Sequence, residues 1–149
     1  MHRFGPIGRL LGVTAAVSAV ALAVSGAPAH AAGYNTLTTY MTSANNSQLR
    51  LGYGTWYSNP VGSTGNGYVE AHDSYCDGLN GIFAMVTGAG GSTWSTSAQG
   101  CGLSNYKDIP AAAQGGPAYG ERITLTVCKL LPDGNFKSCS TRAAVNRPV

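Results

Sequence analysis

Glu70, His72, Asp73 and Asp77 form the only dense polar cluster in the sequence. If residues 68–76 are a strand, Glu70 and His72 share a face, with Cα atoms about 7 Å apart. A carboxylate and an imidazole at that spacing could share a proton or supply two ligands to a metal ion. His72 is the sole histidine beyond residue 31, since His2 and His30 precede it. Asp73 points to the opposite face, so a zinc ion would need a third ligand from elsewhere, and no metal site is assigned. The plainer expectation is an exposed strand face followed by an acidic turn at Asp77-Gly78. An exposed Glu70–His72 pair would contribute about 0.2–1 kcal/mol, and only when His72 is protonated.

Other chemistry lacks a pattern. A serine hydrolase of the nucleophile-elbow type would show Gly-x-Ser-x-Gly, which is absent, and the six carboxylates have no spacing that selects a glycosidase pair. No catalytic residue and no cofactor is therefore expected. The aromatic residues offer a different site. Trp56, Tyr57 and Trp94, with Tyr53 and Tyr68, could present flat faces to the C–H surface of a sugar, or could simply build a small β core. Alternation places Trp56 with Arg50, opposite Leu49, Leu51, Tyr53 and Tyr57, and makes it the principal ligand-binding candidate.

Four cysteines follow residue 31: Cys76, Cys101, Cys128 and Cys139. Their spacing lacks the paired C-x₂₋₄-C of a zinc site, so two disulfides are expected. Three connectivities are open, and Cys76–Cys101 with Cys128–Cys139 is favoured. Pro132-Asp133-Gly134-Asn135 is a turn sequence, and a two-residue Asp-Gly type I′ hairpin would set Leu131 opposite Phe136 and Cys128 opposite Cys139.

The elements that must hold these residues are short strands. Arg122 to Leu131 alternates, with Ile123, Leu125 and Val127 on one face and Thr124, Thr126 and Cys128 on the other. Further strands are expected at 34–41, 49–57, 68–76, 81–86, 92–97 and 136–143, the one at 81–86 apolar enough to be buried on both faces. Residues 59–67 read as a loop. The stretch 103–120 has no alternation and reads as a long loop, with one helical turn at Ala111 to Gln114.

Residues 1–31 have the order of a secretory signal peptide: Arg3 and Arg9, an apolar run from Leu10 to Val24, then small residues around His30. The run is shorter than the roughly 18 residues that span a bilayer, so no membrane anchor is expected. Residues 32–149 then form one exported domain. Lys and Arg number 9 against 6 Asp and Glu. Arg3 and Arg9 leave with the leader, so the mature chain is nearly neutral. The remaining cations are scattered, which argues against a nucleic-acid partner.

Glu70-Ala71-His72-Asp73-Ser74-Tyr75-Cys76-Asp77-Gly78 and the Val127-Cys128…Cys139-Ser140 hairpin resemble small uncharacterised exported proteins of actinobacteria. The resemblance implies secretion, two disulfides and a β fold, and brings no catalytic residues.

The expected fold is all-β: a single antiparallel sandwich or small barrel with two disulfides after a cleaved signal peptide, secreted as a monomer. The expected function is non-catalytic binding of an extracellular or cell-surface ligand, a carbohydrate or cell-wall polymer first and a protein otherwise. A second expectation is an exported protease inhibitor presenting Tyr106 or Lys107 from the 103–120 loop. A small hydrolase or metal-binding protein using Glu70 and His72 stands behind both.

Overall fold

A computed structural model describes residues 35–58 and 67–147; the expected leader, Tyr34 and most of the loop 59–67 lie outside them. Eight strands follow in order: β1 (Thr36–Ser43), β2 (Asn46–Tyr57), β3 (Gly67–Asp73), β4 (Gly81–Thr87), β5 (Thr93–Ala98), β6 (Ser104–Ile109), β7 (Arg122–Leu130) and β8 (Phe136–Val145). They form two antiparallel sheets, one ordered β1-β2-β3-β6 and the other β5-β4-β7-β8. The all-β sandwich with two disulfides expected from the sequence is the fold observed.

The sheets face each other over an apolar core. Trp56 and Val69 enter it from the first sheet, Ile82 and Val86 from β4, and Ile123 and Leu125 from β7. The alternation read from β7 is the one observed, with Ile123, Leu125 and Val127 fully buried. Gly54 lets the layers approach: a Cβ there would stand 2.5 Å from Val127 Cγ2 and 2.8 Å from Ala84 Cβ. At the two edges the sheets are tied by side chains, with Asn105 Nδ2 donating to Ser97 O at 2.7 Å and Arg142 Nη1 donating to Thr38 O at 3.2 Å.

Four local expectations are corrected. Trp56 is 1% exposed, inside the sandwich rather than on its surface. The cause is a β-bulge: pairing with β1 jumps from Met41↔Gly52 to Thr42↔Arg50, leaving Leu51 as the extra residue. Simple alternation fails across such a point. Arg50 therefore lies over the Tyr40 ring, 4.2 Å from its centroid, on the outer face.

β4 is buried on one face only. Phe83 and Met85 lie half-buried on the outer face, which no further layer of the described residues covers, and Phe83 stacks on Phe136 with centroids 4.3 Å apart.

The stretch 103–120 is not a long loop. Its first part is β6, paired with β3 from Ser104 to Ile109, and a 3-10 turn (Ala112–Gln114) supplies the helical turn expected there. Tyr106 and Lys107 are thus in a sheet ladder, and the inhibitor reading that needed them on a reactive loop does not hold.

The β7–β8 hairpin differs in its turn. Gly134 N donates to Leu131 O, Leu131 N donates to Asn135 O, and Gly134 has φ 82°. This is a three-residue connection closed by a left-handed glycine, not a two-residue type I′ turn. Leu130 consequently faces Phe136 and Lys129 faces Lys137. A bulge at Ser138, φ 54°, then restores the register so that Cys128 faces Cys139. Two irregularities cancel.

Candidate functional site

The outward face of the first sheet carries the polar chemistry. β3 alternates, sending Val69, Ala71 and Asp73 inward and Tyr68, Glu70 and His72 outward. Glu70 and His72 do share a face, and Asp73 does take the other. β2 contributes Tyr53, Thr55 and Tyr57 to the outer face, and β6 contributes Ser104, Tyr106 and Asp108. The register sets Glu70 between Thr55 and Tyr106, and His72 between Tyr53 and Ser104.

Glu70 is not the exposed surface group expected from its sequence. It is 5% exposed, because tyrosines from three strands close over it. Tyr57 stacks on Tyr68 at 4.1 Å, and Tyr68 meets Tyr106 edge-on at 5.6 Å. Buried polar groups must be satisfied, and three hydroxyls converge on this carboxylate. Ser104 donates to Oε1 at 2.9 Å, Tyr106 donates to Oε1 at 3.3 Å, and Tyr57 donates to Oε2 at 3.2 Å. Three hydroxyl donors meet the lone pairs of its two oxygens. Burial, and then the Glu70 charge, hold the Tyr57 and Tyr53 phenols above their ordinary range. Both therefore remain donors at neutral pH.

His72 Nδ1 lies 2.7 Å from Ser104 Oγ. A hydroxyl has one proton, and that of Ser104 goes to Glu70. In the His72 contact the ring nitrogen is then the donor, Nδ1–H to Oγ, and in the neutral ring the lone pair is on Nε2. The ring is steadied from its face by Tyr53, stacked at 4.7 Å and 20°, with Tyr40 edge-on to Tyr53 at 5.9 Å. The result is an ordered chain, Glu70–Ser104–His72, that leaves one imidazole nitrogen to act.

Asp73 fastens the ends of β3 and β6. It is 2% exposed; its carboxylate accepts from Tyr75 N at 3.1 Å and Gly100 N at 2.8 Å. Its backbone donates to Leu103 O and accepts from Gly102 N. Just beyond, Cys76 and Cys101 are joined, with Cα atoms 4.4 Å apart; Cys128 and Cys139 are joined with Cα atoms 4.1 Å apart. Both favoured pairings are the ones observed.

The other ligand-binding candidates are not brought together. Trp56 is in the core, Tyr57 is on the outer face of the first sheet, and Trp94 is half-buried on β5 in the second sheet, packed against the core. Trp94 borders a cleft of about 240 Å³ with Gly115, Gly116 and Glu121. No common platform exists among the three. Among the described residues, no three His, Cys, Asp or Glu side chains gather where they could hold a metal ion. Ser104 escaped the sequence reading because it lay in the stretch taken as loop. The run Ser104-Asn105-Tyr106-Lys107-Asp108-Ile109 has no apolar–polar alternation, so no local signal marks it as a strand.

No protein-family model matches the chain, and no curated protein matches it. Among solved structures, it is similar to an endonuclease/exonuclease/phosphatase from Beutenbergia cavernae DSM 12333. Identity is 12%, coverage is 75% of this chain and 27% of that one, and the TM-score is 0.47. The chain thus spans about a quarter of that protein. The expectation of a non-catalytic, polymer-binding domain is corrected here. The expected aromatic platform loses both tryptophans, Trp56 to the core and Trp94 to the second sheet, while Tyr53, Tyr57 and Tyr68 stay on one outer face. That face, expected to be plain exposed surface, holds a His–Ser–Glu chain. The similarity itself, at that TM-score, assigns no activity to this chain.

Proposed function

We propose that the protein is an exported hydrolase in which His72 is the general base for a water molecule attacking an ester. One observation carries the reading: His72 Nδ1 is 2.7 Å from Ser104 Oγ, and Oγ is 2.9 Å from Glu70 Oε1. A base whose far nitrogen is fixed by a hydrogen bond keeps the correct tautomer and orientation for proton transfer. Here a serine hydroxyl backed by a carboxylate does the fixing. Ser104 is thus a positioning residue in this scheme, not the nucleophile.

The steps balance without another reactant. Nε2 takes a proton from water as the water oxygen bonds to the ester centre. The imidazolium formed is stabilised through Nδ1–H and Oγ–H by the Glu70 charge, and Nε2 then gives the proton to the departing alkoxide. Export is supported by the leader-like order of residues 1–31 and by two disulfides, which persist in oxidising compartments.

Turnover of p-nitrophenyl acetate, p-nitrophenyl phosphate and bis(p-nitrophenyl) phosphate tests the activity. His72→Gln should lower the rate on the accepted ester by about 10²–10⁴-fold, the usual share of general-base catalysis. No turnover of any of the three, or turnover untouched by His72→Gln, removes the proposal. Intact mass tests the export: protein recovered from the medium should begin at Ala32, and a chain retaining residues 1–31 would count against it.

A further inference from the structure

A second cleft lies between the sheets at the end of the sandwich where the β1–β2 and β7–β8 hairpin strands meet. Its volume is about 310 Å³, at the small end of the range for ligand sites. Met41, Leu49 and Leu51 form its apolar wall, and Lys129, Lys137 and Ser138 stand across from them. A bulge borders it on each side, at Leu51 in the first sheet and at Ser138 in the second. Bulges re-aim side chains where function needs it. The one at Leu51 turns that leucine onto the core and cleft wall; the one at Ser138 follows the Lys129↔Lys137 pair.

Like charges directly opposite on a ladder repel, and this pair has little to offset it. Neither lysine is in an ion pair with any described residue. The one carboxylate in the lining, Asp77, senses the Lys129 charge. Its oxygens are committed to its own turn: Oδ1 accepts from Leu79 N at 3.0 Å and from Asn80 N at 2.9 Å, and Oδ2 accepts from Asn80 Nδ2. Two cations over an apolar wall, with one occupied anion nearby, leave the cleft positive.

We infer that this cleft binds a small amphipathic anion, its carboxylate or phosphate head between Lys129 and Lys137 and its apolar portion against Leu49, Leu51 and Met41. The head relieves the lysine–lysine repulsion, and the tail removes apolar wall from water. Neither interaction alone selects the ligand. An inorganic anion lacks the tail, and an alcohol lacks the charge.

Calorimetric titration with octanoate, octyl phosphate, octanol and inorganic phosphate, all below micellar concentrations, tests this on the full folded protein. Octanoate or octyl phosphate should bind at one site, at least about tenfold more tightly than octanol or inorganic phosphate. Tighter octyl phosphate identifies a phosphate head; tighter octanoate identifies a carboxylate. In Lys129→Met/Lys137→Met the anions should fall to the level of octanol. Leu49→Ser, which keeps both lysines, should weaken every octyl ligand alike, and near-ultraviolet dichroism reports whether each variant is folded. Anions no tighter than octanol, or binding unchanged in the folded lysine variant, overturns the proposal. Hydrolysis at His72 is scored separately, so the two readings fail independently.

Discussion

His72 and Ser104, thirty-two positions apart, stand 2.7 Å from each other across the β3–β6 ladder, and the Cys76–Cys101 bridge closes the chain just beyond both. Cys76 follows His72 by four residues and Cys101 precedes Ser104 by three. The bridge and the Asp73 hydrogen bonds thus fasten the same end of the two strands that carry the base and its positioning hydroxyl. Stability and site geometry share a support here.

Breaking that support alone should uncouple the two disulfides' roles. Removing Cys76–Cys101 by the double Ala variant should cost about 3.5 kcal/mol in the loop-entropy model, and removing Cys128–Cys139 about 3. The first should also depress hydrolysis at temperatures where the variant remains folded, whereas the second should leave folded-state turnover near wild type. Urea unfolding and initial rates on the same samples check both. Equal rates in the two variants would show that the bridge does not hold the site.

Ser104→Ala should lower kcat by about 10²-fold with little change in KM, since a freed imidazole is misplaced rather than removed. Ser104→Thr should restore much of the rate, because its hydroxyl can make the same two contacts. Stability should fall by about 1–3 kcal/mol in the Ala variant, as buried Glu70 loses one of its hydroxyl donors. A role limited to packing would show equal rates in Ala and Thr.

Alkaline stability should report the tyrosine cover. In the folded protein Tyr57 and Tyr53 are held above their ordinary value of 10.0, by burial and then by Glu70. A raised folded pKa means that the native state holds its proton more tightly than the unfolded chain. The stabilisation is therefore complete below pH 10 and is lost as pH rises from there toward the folded value. Urea midpoints between pH 8 and pH 11 should fall at the alkaline end, and Tyr57→Phe should flatten that fall. An unchanged slope in the variant would assign the loss to other groups.

Trp56 is buried in the core. Trp56→Ala should destabilise by about 3–5 kcal/mol, the range for a buried aromatic. Gly54→Ala should also destabilise, by about 1–3 kcal/mol, because its methyl would collide with Val127 and Ala84 across the sheet interface. Thermal unfolding measures both. A Trp56→Ala protein as stable as wild type would place that ring outside the core.

Much of this protein was local, and local geometry is readable. Strand residues two apart face the same way in any pleated chain, so Glu70 and His72 shared a side, Asp73 took the other, and Ile123, Leu125 and Val127 formed an inward row before any fold was known. Composition and cysteine number were enough for an all-β domain with two bridges. The Cys128–Cys139 pair could be placed from its hairpin even though the turn was of another type, because the Ser138 bulge cancelled the change. What the chain alone could not reveal depended on irregularity or on distant pairing. One extra residue at Leu51 broke the alternation that would have put Trp56 outside. The neighbour of β3 is β6, and that choice follows from how two sheets bury their apolar faces together, not from anything near His72 in sequence. Only that packing set Ser104 beside His72 and drew the tyrosines over Glu70.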